Sequence, residues 1–316
     1  MSAVQPGEIH IACQADHRFT PDCGVMLRSL LSVNAGRKFH VHFLHHPDLP
    51  AGDLQDLADL VGAFGAKWSP LAIPDERMRG FPCKAHYGGY AACYRLLLPE
   101  LLPDVSRVLY LDADILHVDR LDELWATDLC GHCVAAVTNP LFTSMHERIR
   151  SNLGVEDPAA YFNSGVLLLD LERLRNSGLG RALVEFAVGA TVPLPWPDQD
   201  TLNAVLWQHR LPLSPRWNAM TGLFMLPRRL MAWDQKTVSA ARRSPAIIHF
   251  VGGYKPSHYR FKHPYRRAYL AQLQATVWKD RPIEGRTLLN QLLRPLPLIW
   301  QWRLDKLVAA LRRVTA

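Results

Sequence analysis

The stretch Arg107-Val-Leu-Tyr-Leu-Asp-Ala-Asp-Ile-Leu116 decides how this chain folds. Val108, Leu109, Tyr110 and Leu111 form an unbroken apolar run of the kind that makes a strand buried on both faces. It runs straight into two carboxylates one residue apart. In open α/β sheets ligands collect beyond the carboxyl ends of the strands, so Asp112 and Asp114 stand where a ligand is expected. Their oxygens are hard donors suited to Mn²⁺ or Mg²⁺ beside phosphate. An Asp-x-Asp on its own is more often a solvated turn; the apolar strand before it favours a site.

The second signal lies far downstream, in Ala246-Ile-Ile-His-Phe-Val-Gly-Gly-Tyr-Lys-Pro-Ser-His258. A short apolar strand carries His249, which alone would read as a core histidine. Imidazole is accepted by Mn²⁺ beside carboxylates, so His249 is a candidate third ligand to Asp112 and Asp114. Gly252 and Gly253 leave backbone amides open to an anion, and Lys255 adds a point charge for phosphate.

With these motifs in place, the chain resembles the retaining nucleotide-sugar glycosyltransferases of family 8, and among them the bacterial lipopolysaccharide galactosyl- and glucosyltransferases. The resemblance covers residues 9–258. It rests on Ile9-His-Ile-Ala-Cys-Gln-Ala-Asp16, Tyr94-Arg95, Tyr110-Leu-Asp-Ala-Asp114, Tyr161-Phe-Asn-Ser-Gly165, Asp198-Gln-Asp-Thr-Leu-Asn203 and His249-Phe-Val-Gly-Gly-Tyr-Lys-Pro-Ser-His258, in that order and spacing. It implies a metal held by Asp112, Asp114 and His249, and a nucleoside contact at Asp16. It also implies substrate contacts at Arg95, Asn163, Asp198, Gly252 and Lys255, with Gln199 at the reacting face of the donor sugar. Three positions depart from the pattern. Ala15 stands where some members carry a second carboxylate for the base, Asn139 stands where an acid lies near the acceptor, and His258 follows Ser257 where Trp is common.

Length and charge are consistent with such an enzyme. The 316 residues, 48% of them hydrophobic, can bury one large core. Most of the net charge of +7 lies at the end of the chain. From Arg286 onward, Arg286, Arg294, Arg303, Lys306, Arg312 and Arg313 face a single acid, Asp305. The body is therefore nearly neutral, which argues against a nucleic-acid groove and towards a tail that meets an anionic surface. Cys130-Gly-His-Cys133 has the spacing of half a zinc site with no second pair, so the six cysteines read as free thiols. The amino-terminal residues do not read as a secretory signal, and no apolar run is long enough to span a bilayer. The expected location is cytoplasmic, peripheral on the cytosolic face of the inner membrane.

Strands are expected over 8–13, 39–44, 67–73, 108–111, 133–138 and 165–171. Helices are expected over 25–33, 50–64, 90–98 (ended by Pro99) and 199–208, the last with Asp198 at its start. The βαβαβ rhythm is the front half of a Rossmann-like nucleotide-binding unit, so the fold class is α/β with a mixed sheet. Residues 210–243, with weak periodicity, read as loops around one short helix. Asn163 and Ser164 read as a turn before a strand. His40 and His42 fall on the second strand and read as packing or solvent-facing side chains. Residues 1–280 are expected to form the catalytic domain and 281–316 a basic amphipathic helical tail, with Trp300, Leu304, Leu307, Val308 and Leu311 along one face.

Two other functions compete with UDP-hexose transfer to a saccharide or lipid-linked saccharide. A sugar-1-phosphate nucleotidyltransferase would want a glycine-rich basic loop after the first strand, and Cys13-Gln-Ala-Asp16 supplies none. A non-catalytic nucleotide-sugar or membrane-surface binding protein would not need Asp112, Asp114, His249, Gln199 and Lys255 together.

Overall fold

The computed structural model describes residues 7–82, 90–140, 145–227, 231, 233–253, 255–296, 300–301 and 303–304. Among the described residues ten strands form two sheets: β1 Ile9–Gln14, β2 Phe39–His45, β3 Lys67–Ala72, β4 Arg107–Leu111, β5 Ile115–His117, β6 Val134–Thr138, β7 Phe162–Asp170, β8 Arg210–Pro212, β9 Ala219–Met220 and β10 Ile247–His249. The large sheet runs β3-β2-β1-β4-β7-β6-β8 and the small one β5-β10-β9. β1 to β4 are mutually parallel, whereas β7 lies antiparallel to both β4 and β6.

The central strands are apolar on both faces, and the pleat sorts their side chains into two cores. Ile9, Ile11, Cys13, Leu109, Leu111, Val166 and Leu168 face one core, with the helix Thr20–Val33. Ala12, Val108, Tyr110, Leu167 and Leu169 face the other, with the segment 91–101 and the helices that follow β7.

Several boundaries differ from expectation. The helix expected from residue 25 begins at Thr20, because Asp16 receives the Phe19 and Thr20 amides on its carbonyl and Pro21 fits the first turn without needing a donor. Residues 91–97 form a 3₁₀ helix, and Pro99 opens the short helix Leu98–Leu101 rather than ending one. Asn163 and Ser164 lie within β7 instead of a preceding turn. The segment 210–243 contains β8, β9 and the helices Thr221–Met225 and Gln235–Arg243. Each of those strands is two or three residues long, too short to leave a periodic signal.

The chain after residue 274 returns to the body. Trp278 packs on Gly24 so closely that a Cβ there would stand 2.0 Å from the indole ring. Arg281 pairs with the fully buried Asp22 at 2.6 Å, and Tyr269 donates to the same carboxylate. Among the described residues no helix is long and apolar enough to cross a membrane.

Two glycine substitutions should therefore act with opposite sign. Gly24→Ala forces Trp278 aside and is expected to cost about 1–3 kcal/mol. Gly62→Ala, exposed in the helix Ala51–Ala63 with nothing within 4 Å, should gain about 0.5 kcal/mol. Urea denaturation of the two variants reads both shifts.

Candidate active site

The register of the two sheets assembles the site. β4 ends at Leu111, opposite Val166 of β7, and the Asp112 amide then donates to the Gly165 carbonyl at 2.9 Å. Asp114 leads into β5, whose Ile115 stands opposite His249 of β10, and the Phe250 amide donates to the Asp114 carbonyl. Sheet pairing thus brings together residues far apart in sequence. His249 Nε2 lies 3.2 Å from Asp114 Oδ1 and 3.6 Å from Asp112 Oδ2. One donor atom from each of the three lies within 4.8 Å of the others.

The donor set and its surroundings fit a divalent cation. Asn218, just before β9, accepts from His249 Nδ1 at 2.9 Å, which leaves Nε2 as the nitrogen facing the carboxylates. Gly165 provides the room: a Cβ there would stand 2.2 Å from His249 Cε1 and 2.7 Å from Asp112 Oδ2. Sequence reading singled out Asn163 in the Tyr161-Phe-Asn-Ser-Gly165 segment but not the steric demand at Gly165. Nothing in the local sequence announced Asn218.

Charge is balanced by two cations. Arg95, 5% exposed, donates to Asp112 at 2.8 Å and to the Ser164 carbonyl at 2.7 Å, and stands 3.3 Å from Asp198. Its guanidinium also lies over the Tyr110 ring, 4.3 Å from the centroid. Burial opposes its charge, but Asp112, Tyr110 and Asp198 outweigh that and push its pKa up. Burial pushes the Asp112 carboxyl up, with Arg95 opposing and Asp114 adding to the rise. For Asp114 burial is outweighed by Lys255 and His249, which hold the carboxyl well below its usual range. Lys255 donates to Asp114 and, at 2.9 Å, to the Phe250 carbonyl.

Asp198 and Gln199 open the helix Pro197–Leu206 and point back into the same space. Gln199 Oε1 accepts from Asn163 Nδ2 at 2.9 Å and from the Ser164 amide at 3.2 Å, while its Nε2 donates to Tyr161 at 3.0 Å. The Tyr161 hydroxyl donates in turn to Asp200, which is fully buried and paired with Arg148. This chain fixes which end of the Gln199 amide faces which partner. Ser164 Oγ donates to Asp198 at 2.8 Å.

These groups line one continuous cleft. A cavity of about 340 Å³ is bounded by Gln14, Asp16, Asp112, Asp114, Gly252 and Lys255. An adjoining one of about 410 Å³ shares Asp112, Asp114, Gly252, Gly253 and Lys255 and adds Arg95, Asn163, Asp198, Gln199 and Trp196. Asp16, half-buried on the wall of the first cavity, also caps the turn before the helix Thr20–Val33. All ten residues singled out from the sequence line this cleft. Cys130 and Cys133 are free thiols, while Cys83 lies outside the described residues.

A mixed α/β sheet thus places paired carboxylates and a lysine at the strand ends of a two-part cleft, an arrangement that suits an anionic substrate beside a divalent cation. Residues 10–260 match the glycosyl transferase family 8 pattern, and the chain belongs to that family. It is 31% identical to General stress protein A of Bacillus subtilis over 85% of this chain and 94% of that one. It is 27% identical to the lipopolysaccharide 1,2-glucosyltransferase of Escherichia coli, over 86% of this chain and 79% of the relative. Among solved structures, galactosyltransferase LgtC in complex with donor and acceptor sugar analogs superposes with a TM-score of 0.74 at 23% identity, covering 85% of this chain and 96% of LgtC. The chain is thus a glycosyltransferase, with a nucleotide-sugar donor and a saccharide acceptor, rather than a nucleotidyltransferase.

Asn218→Ala should weaken divalent-cation binding by about 10- to 100-fold, since it frees the imidazole that Asn218 orients. Gly165→Ala should lower turnover on the order of 10²-fold by displacing Asp112 and His249. Calorimetric titration with Mn²⁺ and initial rates check the two effects.

Proposed function

We propose that this enzyme transfers a hexose, galactose or glucose, from a uridine-diphosphate sugar to a saccharide acceptor, with retention of configuration and an α-linked product. The observation that carries this reading is the convergence of Asp112, Asp114, His249 and Lys255 on one wall of a cleft whose other wall holds Asn163, Asp198 and Gln199. Mn²⁺ or Mg²⁺ held by Asp112, Asp114 and His249 would serve as a Lewis acid that neutralises the diphosphate leaving group. Lys255 exchanges its contact with Asp114 for the departing diphosphate, and the backbone at Gly252 and Gly253 lets that anion approach closely. Asp16 contacts the nucleoside at the far end of the cleft. Asp198, with its charge shared with Arg95, accepts from the donor-sugar hydroxyls. Arg95 acts from behind, holding Asp112 and Asp198 in place.

Gln199 is an amide and takes up no proton at neutral pH, and of the carboxylates flanking it Asp198 is engaged by Ser164 and Arg95 while Asp200 is engaged by Tyr161 and Arg148. That arrangement differs from the free acid and nucleophile pair of retaining glycosidases. It favours attack from the face the diphosphate leaves, with the acceptor proton passing to that leaving group and Asn163 and Gln199 aligning the acceptor.

The names of the relatives support a lipopolysaccharide core or lipooligosaccharide acceptor. Such an acceptor is presented at the cytosolic face of the inner membrane, and residues 281–316 would bring the catalytic domain, 1–280, to that surface. In the helix Leu288–Leu293 the exposures of Leu288, Leu289 and Leu292 are 81%, 58% and 76%, and Trp300 is 53% exposed. These are values a docked core helix would not have. Gln301 is nevertheless buried, accepting from Arg260 at 3.0 Å, so the segment is seated on the body and presents its leucines outward. Leu304 is half-buried, and Leu307, Val308 and Leu311 lie outside the described residues.

Asp112→Ala, Asp114→Ala and His249→Ala are each expected to lower the rate on the order of 10³-fold. Full activity in excess chelator would remove the metal from the reading. Nuclear magnetic resonance of the first-formed product should show an α-linkage, and Gln199→Ala should slow transfer far more than it weakens donor binding. Replacing Leu288, Leu289 and Leu292 by serine should release the folded protein from anionic vesicles, and salt should weaken binding of the unmodified chain. Undiminished co-sedimentation of the serine variant would refute the surface role.

A further inference from the structure

Three histidines stand together at the other end of the large sheet. His10 of β1 and His40 of β2 are register partners, and His42 lies two residues further on the same face. His10 Nδ1 is 3.0 Å from His42 Nε2. The ring centroids are 5.4 Å apart for His10 and His40, 5.3 Å for His10 and His42, and 4.1 Å for His40 and His42. One ring nitrogen from each lies within 4.8 Å of the others. Gln14, in the cleft, stands four positions along β1 from His10, roughly 13 Å along the strand.

We propose that His10, His40 and His42 form a second metal site, selective for Zn²⁺, that clamps β1 to β2 away from the catalytic cleft. Three imidazoles with no carboxylate among them make a borderline-soft nitrogen donor set, which suits Zn²⁺ and disfavours Mg²⁺ and Mn²⁺. Three protein ligands leave one position of a tetrahedral ion open to water. His42 is 5% exposed, whereas His10 and His40 are half-buried, so the ion has an anchored floor and a solvent-facing entrance. The second shell is also present. Whichever His40 nitrogen does not ligate has a partner at hand: Ser69 of β3 lies 2.8 Å from Nε2, and Glu8, itself paired with Lys67 at 2.9 Å, lies 3.7 Å from Nδ1.

The protonation state favours coordination. Burial, reinforced by the neighbouring imidazoles, pushes His42 down to about 4, and burial likewise lowers His10 and His40. Each shift is toward the neutral imidazole, the form that ligates a metal ion. In the absence of an ion, His10 and His42 can share one proton between two nitrogens. Zn²⁺ would replace that contact with bonds to all three rings.

The test uses the tag-free, full-length chain carrying Asp112→Asn and Asp114→Asn, so that the catalytic carboxylates do not take up the ion. Calorimetry with Zn²⁺ alone should give one ion per chain and a raised Tm, with Mg²⁺ giving neither. His10→Gln and His40→Gln should each weaken Zn²⁺ binding at least about tenfold. Titration with Co²⁺ should give visible bands without thiolate charge transfer, which separates the site from Cys130 and Cys133. With the catalytic aspartates restored, His10→Gln should leave transfer in Mn²⁺ unchanged, so this site and the catalytic reading stand or fall separately. Equal Zn²⁺ affinity in the histidine variants, no uptake of Zn²⁺, a thiolate signature or equal binding of Mg²⁺ would each overturn the proposal.

Discussion

The cleft depends on one buried guanidinium. Carboxylates placed near each other in a poorly hydrated pocket repel and tend to protonate, which would spoil them as ligands. Arg95 opposes this at Asp112, to which it donates, and it also stands against Asp198; its own burial is compensated by both carboxylates, the Ser164 carbonyl and the Tyr110 ring. Arginine suits the position because its planar fork reaches several acceptors at once, which a lysine cannot match. Removing it would leave two uncompensated acids in the core, a far larger disturbance than the loss of a surface ion pair.

A second constraint is steric. β7 passes so close beneath His249 that only a hydrogen fits at residue 165, and the Asp112 backbone is bonded to that same glycine. Asp112, Asp114 and His249 therefore have little freedom to shift. Asn218 and Asn163 extend this rigidity from His249 to Gln199 through an unbroken run of hydrogen bonds. The two walls of the cleft are thus mechanically linked, consistent with a site that must hold a leaving group and a sugar ring at a fixed separation.

Much of this was legible in the sequence, for identifiable reasons. Val108-Leu-Tyr-Leu111 announced a buried strand because two-sided burial demands an unbroken apolar run, and the carboxylates after it followed from strand-end geometry. His249 and Lys255 were legible because they share a short segment with Gly252 and Gly253. Asn218, Arg148 and the role of Tyr161 were not, since each is defined by a partner 31 to 52 residues away and none alters local patterning. The strands β8 and β9 escaped because elements of two or three residues carry no period. Pro99 was misjudged because proline both ends helices and starts them, and only the preceding 3₁₀ turn reveals which.

The small sheet has a bearing on how the enzyme comes into being. β5 follows directly on Asp114, yet its partner β10 is synthesised some 130 residues later. A ribosome that has delivered β1 to β5 has made both aspartates and the strands that flank them, but not the imidazole that completes the trio. The nascent protein therefore carries two crowded acids beside Arg95 with neither His249 nor Lys255 to relieve them. Only closure of β10 onto β5 supplies both at once. Assembly of the trio thereby waits on a pairing between segments far apart in the chain, and a chain ended before β10 cannot hold it.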